Sequence, residues 1–148
     1  MTPAFTTTWL KLTSLFLIVF GLIVALGAHP LTATPVTWLA DLIVWPFDGT
    51  QSLVAPETRL LAAISGGVMV GFGTMMWLVV SRLLATDPAL TRLLLVEATL
   101  AWFLVDSTGS LVAGAPVNVA LNTVLMLAIV VPAWGLGRRA LPSPRPAP

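Results

Sequence analysis

The stretch Leu-Phe-Leu-Ile-Val-Phe-Gly-Leu-Ile-Val-Ala-Leu, residues 15–26, carries no charge and no hydrogen-bonding side chain. Extended in both directions, the apolar run covers about Trp9 to Ala28, with Lys11 as its one charged residue. Roughly 20 residues at 1.5 Å each match the ~30 Å hydrocarbon core of a bilayer. Three more runs of this kind follow, at about Thr58–Leu84, Pro88–Val112 and Pro116–Gly137. Hydrocarbon leaves unpaired backbone groups without partners, so each run has to satisfy its own N–H and C=O groups as a helix. The expected fold is therefore all-α, a four-helix transmembrane bundle forming one domain over residues 1–140.

Composition points the same way. Of 148 residues, 57% are hydrophobic and 9% charged, against about 25% charged in a soluble domain. So few charges do not cover a water-facing surface. A net charge of +1 gives no electrostatic basis for binding nucleic acid. The absence of cysteine excludes disulfides and thiolate metal sites, and a lone histidine excludes a bis-histidine haem within the chain. No zinc motif, phosphate loop or nucleophile elbow is present, so no metal and no cofactor is expected.

Prolines punctuate the helices. Pro56, Pro88 and Pro116 each precede an apolar run, where a missing N–H costs no hydrogen bond. Asp87 is placed to cap the third helix, and Glu57 to favour the dipole of the second. Pro132 sits inside the fourth run, where it should free the Ala128 carbonyl and kink the helix. The first run has some features of a signal peptide, but its apolar part exceeds the usual ~7–15 residues, so an uncleaved helix is expected. The proline-rich tail, residues 141–148, is expected to be disordered.

Between the first two runs, Thr34-Pro35 resembles a cap and first turn, and the segment of about residues 35–45 is too short to span. Trp38, Leu39, Leu42, Ile43 and Trp45 fall on one broad helical face, with Thr37, Asp41 and Asp48 on another. This pattern predicts a short helix in the membrane interface, or a cap packed on the bundle. Alternating crossings put Lys11, Arg82, Arg92, Arg138, Arg139 and Arg145 on one side, and only Arg59 on the other. The positive-inside rule then places both termini in the cytoplasm, and the chain as a multi-pass protein of a bacterial inner membrane.

Two acids inside the third run are the sharpest polar signal. Glu97 and Asp106 each lie roughly 10 Å from an end of that helix, where an ionised group costs about 2.5–3.5 kcal/mol at the centre of a bilayer. Nine positions apart, they face opposite ways and do not form a carboxylate pair. Asp106 shares its depth with Arg59, Ser110, Asn118 and Asn122, and an Arg59–Asp106 pair is the expected anchor, because arginine grips a carboxylate as a fork. Two readings stay open for this cluster: an interhelical clamp, or a polar pocket for a proton or small molecule. Glu97 is expected to pair with Lys11; its functional reading is a proton-relay carboxylate. Ala63, Gly67 and Gly71 form a small-residue stripe for close helix packing, within the chain or against a partner. His29 reads as a solvated boundary residue.

The run Arg59-Leu-Leu-Ala-Ala-Ile-Ser-Gly-Gly-Val-Met-Val-Gly71 resembles the second helix of small bacterial four-helix membrane proteins, a family of unknown function. There an arginine opens the helix and a Gly-Gly pair follows about two turns later. The likeness extends to Asp106-Ser-Thr-Gly-Ser110 and implies a fold but no activity. Small multidrug exporters also have four helices, but their carboxylate lies in the first, where this chain has only Lys11. The expected function is a structural or accessory membrane subunit, with lipid and a protein partner or second copy as neighbours. The alternative is a small transporter or channel using the Asp106 cluster or Glu97. An enzyme is disfavoured, because the spans lack histidine, cysteine and tyrosine.

Overall fold

The computed structural model describes residues 2–137, and every regular element among them is helical. α1 (Pro3–Ala25) runs into a 3-10 turn at Leu26–Ala28, and a second such turn, Pro30–Thr32, leads to α2 (Thr34–Val44). α3 (Pro56–Arg82), α4 (Pro88–Val112) and α5 (Pro116–Trp134) follow. α1, α3, α4 and α5 are each long and apolar enough to cross a membrane. One end of the bundle holds the start of α1, the α3–α4 turn and the end of α5. The other, here the α2 end, holds α2, the start of α3 and the α4–α5 turn. The proline-rich tail lies outside the described residues.

α1 begins at Pro3 rather than near Trp9, because Thr2 caps it and its hydroxyl accepts the Phe5 N–H at 3.3 Å. That polar first turn is invisible to hydropathy. α5 stops at Trp134, short of Gly137, which takes a left-handed φ of 74°.

α1 and α3 form the tightest pair. Their buried positions repeat alternately at four and three residues: Leu10, Ser14, Leu17, Gly21 and Val24 on α1, and Ala62, Gly66, Gly73, Met76 and Val80 on α3, with Met69 half-buried between. That 3.5-residue period is the seam of a left-handed antiparallel pair. Glycine sets the spacing. A Cβ on Gly21 would stand 2.7 Å from the Gly66 carbonyl oxygen, and one on Gly73 would stand 2.9 Å from the Ser14 carbonyl oxygen. Gly66 meets the backbone of Ala25 just as closely. The expected packing stripe is therefore displaced. Gly67 and Gly71 are exposed with nothing within 4 Å, and Ala63 is half-buried at the margin. A strict four-residue repeat drifts off a seam of period 3.5, so Gly66, one position before Gly67, and Gly73, two after Gly71, do the packing.

α4 and α5 form the second pair, and the two pairs meet around Leu10, Leu17, Met76, Val80, Leu95, Val96, Ile129 and Ala133. A hydrogen bond stitches them together. Pro132 has no N–H to offer Ala128, and the orphaned Ala128 carbonyl accepts the Trp9 indole N–H at 2.8 Å. The carbonyl freed by a proline on α5 is thus satisfied from α1.

Two outcomes follow. Gly66→Ala should cost about 1–3 kcal/mol through overpacking, whereas Gly67→Ala and Gly71→Ala should be neutral or stabilise by about 0.5–1 kcal/mol; reversible unfolding in mixed micelles measures both, and equal effects would place the seam elsewhere. Trp9→Phe should lose about 1 kcal/mol, and much of that loss should vanish in a Pro132→Ala background, where residue 132 regains an N–H for Ala128. A double-mutant cycle without coupling would show that the indole bond carries no weight.

Candidate functional site

The α4–α5 hairpin turns at Gly114, whose φ of 75° is left-handed and suits a residue with no Cβ. The Ala115 N–H returns to the Ser110 carbonyl at 2.8 Å and the Gly114 N–H to Leu111 at 3.1 Å, closing the end of α4. This turn sets the register of everything behind it. Ser110 and Asn118 are equidistant from Gly114, and so are Asp106 and Asn122. Asp106 and Ser110 lie one turn apart on α4, and Asn118 and Asn122 one turn apart on α5, so all four side chains meet between the two helices.

They converge on one oxygen. Asp106 Oδ1 accepts from Ser110 Oγ at 3.1 Å, Asn118 Nδ2 at 3.0 Å and Asn122 Nδ2 at 3.1 Å. Asn118 Nδ2 also donates to Ser110 Oγ at 2.8 Å, and Asn122 Nδ2 to Ser107 Oγ at 3.3 Å. Ser107, Ser110 and Asn122 are buried and Asp106 half-buried. Every donor to the carboxylate among the described residues is neutral, and each amide orientation follows from the acceptor it faces.

Arg59 is not among them. α3 makes only slight contact with α4, and the Arg59 Nε donates instead to the Leu53 carbonyl at 2.9 Å. The guanidinium bonds back to the loop that leads into its own helix, and the expected Arg59–Asp106 pair does not form. The Lys11–Glu97 pair is absent too. α1 packs on α3 and α5 rather than α4, and Lys11 Nζ lies 5.5 Å from the centre of the Trp77 ring, a cation–π contact. Glu97 is exposed on the outward side of α4 and has no partner among the described residues. Matching depth was readable from the sequence; which helices touch was not.

Sequence reasoning also misplaced Asp41. Asp41 and Asp48 share no helical face, because α2 ends at Val44; Asp41 is 3% exposed, and its two carboxylate oxygens accept the Gly49 N–H at 3.0 and 2.9 Å. It closes the loop after α2, and Gly49 sits there at a φ of 75°. The Asp48-Gly49 turn signal was available to suggest it. Asp48 stays outside, and the Thr50 hydroxyl and N–H bonded to it hold its carboxyl below the usual carboxylate range. His29 serves as a cap, its Nδ1 accepting the Leu31 N–H at 3.2 Å. No group of three or more histidine, cysteine or acidic side chains among the described residues could hold a metal ion.

No protein-family model, curated protein or solved structure matches the chain.

The hydrogen-bond geometry sets an order for substitutions. Asp106→Ala removes the shared acceptor of three donors and should cost about 1–3 kcal/mol. Asp106→Asn keeps an acceptor oxygen and should cost less. Unfolding midpoints in detergent check the ranking, and an alanine variant as stable as the parent would remove the clamp from the account of stability.

Proposed function

We propose that this chain is a non-enzymatic accessory subunit of a membrane assembly, seated in a bacterial inner membrane with both termini in the cytoplasm. One observation carries the proposal: of two acids within α4, one is satisfied by the chain itself and the other is not. Asp106 has three donors around it, whereas Glu97, nine residues into the helix from Pro88, faces outward without a partner among the described residues. An ionised group facing hydrocarbon at this depth costs about 2.5–3.5 kcal/mol at the bilayer centre, a cost that a neighbouring helix offering a cation or N–H donors would offset. The outward stripe of Ala63, Gly67 and Gly71 offers a second place for close approach. The orientation rests on the six basic residues assigned to the cytoplasmic side against Arg59 alone on the other.

A second reading, a small transporter or channel, draws on two observations. Asp106 has no cationic partner among the described residues, and the Thr99 hydroxyl, fully buried two turns away on the inward side of α4, has no hydrogen-bond partner there. Those are polar groups that packing alone does not require.

Extraction into native nanodiscs, with a reporter at the carboxyl terminus that matures only in the cytoplasm, tests the accessory reading. The parent should carry a stoichiometric protein partner and a bright reporter. Glu97→Leu should lose the partner while keeping its helicity and melting temperature. A parent recovered as a lone monomer, or a Glu97→Leu variant that keeps its partner, would overturn the reading; a dark reporter would reverse the orientation.

A further inference from the structure

The α2 end of the bundle holds an open cavity of about 220 Å³, separate from both α4 acids. Thr34, Thr37, Ser52 and Arg59 line it, against an apolar wall that includes Pro30 and Val54. No acid is in this lining, and the one cation is Arg59. Arg59 spends its Nε on the Leu53 carbonyl at 2.9 Å, which fixes the plane of the guanidinium and leaves its terminal amino groups without a partner among the described residues. The hydroxyls of Thr34 and Ser52 have no partner among the described residues, whereas that of Thr37 donates to the Ala33 carbonyl at 3.1 Å. α2, eleven residues long, begins at Thr34, so its positive dipole end opens on the same space. The nearby acids are engaged or absent from the walls: Asp41 is bound to Gly49, and Glu57 does not line the cavity.

We infer that this cavity is a binding site for a phosphate group, gripped by the Arg59 guanidinium and the Thr34 and Ser52 hydroxyls. A planar fork of donors and two hydroxyl donors around a void without carboxylates suit a compact oxyanion. The volume is several times the roughly 30 Å³ share of one water in the liquid. Depth indicates where the phosphate comes from. Trp38 on α2 and Trp45 just beyond its end stand 65% and 64% exposed, as tryptophans do at headgroup level. A phospholipid headgroup lies at that height, and a free phosphate offers the same chemistry from the water side. This site does not depend on the accessory-subunit reading.

Native mass spectrometry of the full chain in neutral detergent, with phosphatidylglycerol or a phosphate-free glycolipid added, tests the lipid source. Inorganic phosphate titrated into delipidated protein and followed by phosphorus NMR tests the free anion. The parent should retain one phosphatidylglycerol per chain in preference to the glycolipid, or broaden the phosphate signal saturably; the first result assigns a headgroup and the second a soluble anion. Arg59→Gln should weaken whichever ligand binds by about tenfold or more. Thr34→Val with Ser52→Ala, which leaves the Arg59–Leu53 bond intact, should weaken it by a smaller factor, so the test survives if the arginine variant folds poorly. Equal retention of phosphatidylglycerol and glycolipid together with no response to phosphate, or full binding by the folded Arg59→Gln or double variant, would overturn the site.

Discussion

Hydrocarbon offers no hydrogen-bond partner, so every polar group carried into it has to be satisfied by the protein. The backbone meets this requirement as helices, and several hydroxyls meet it locally, although that of Thr99 has no partner among the described residues. Thr13, Ser14, Thr91 and Thr123 each donate to a carbonyl one turn back on their own helix. The exceptions are more informative. Pro132 leaves a carbonyl that its own helix cannot serve, and the Trp9 indole crosses from α1 to serve it. Asp106 needs several donors, and the hairpin partner provides two asparagines at the right depth.

The same requirement shapes the two helix pairs in opposite ways. α1 and α3 approach through Gly21, Gly66 and Gly73, where backbone lies on backbone and side-chain polarity plays little part. α4 and α5 are held near their turn by a network of amides, hydroxyls and one carboxylate. In lipid neither pair gains from expelling water, so close contact and hydrogen bonding have to do the work. A break at Gly66 and a break at Asp106 would therefore disturb different halves of the molecule.

The charged groups left over are distributed unevenly. At the α2 end, Asp41 is consumed in closing a loop and Arg59 in bracing one, which leaves the arginine fork beside an acid-free cavity. In the opposite half, Lys11 lies over Trp77 and Glu97 looks outward. Of the two acids within α4, the chain surrounds Asp106 with donors and leaves Glu97 exposed, without a partner among the described residues.

The number of crossings, the helix starts at Pro56, Pro88 and Pro116, the cap at Asp87 and the orphaned Ala128 carbonyl were all legible in the sequence, because each depends on residues within a turn or two of one another. Four of the five residues grouped by depth, Asp106, Ser110, Asn118 and Asn122, also meet, because the turn at Gly114 makes Ser110 and Asn118, and Asp106 and Asn122, mirror positions; Arg59 does not join them. Failures arose wherever the answer depended on which helix lies beside which. Arg59 and Asp106 match in depth, as do Lys11 and Glu97, but depth along the membrane normal follows from counting residues, whereas adjacency in the plane does not. The glycine seam shows the same limit on a finer scale, since Gly66 and Gly67 differ by 100° of helix rotation and only the position of α1 decides which of them is packed. Sequence alone determined which segments are long and apolar enough to cross a membrane and where along each helix every polar group falls. Tertiary structure decided the partners, because in-plane arrangement is set by the summed packing of all four helices and by no local signal.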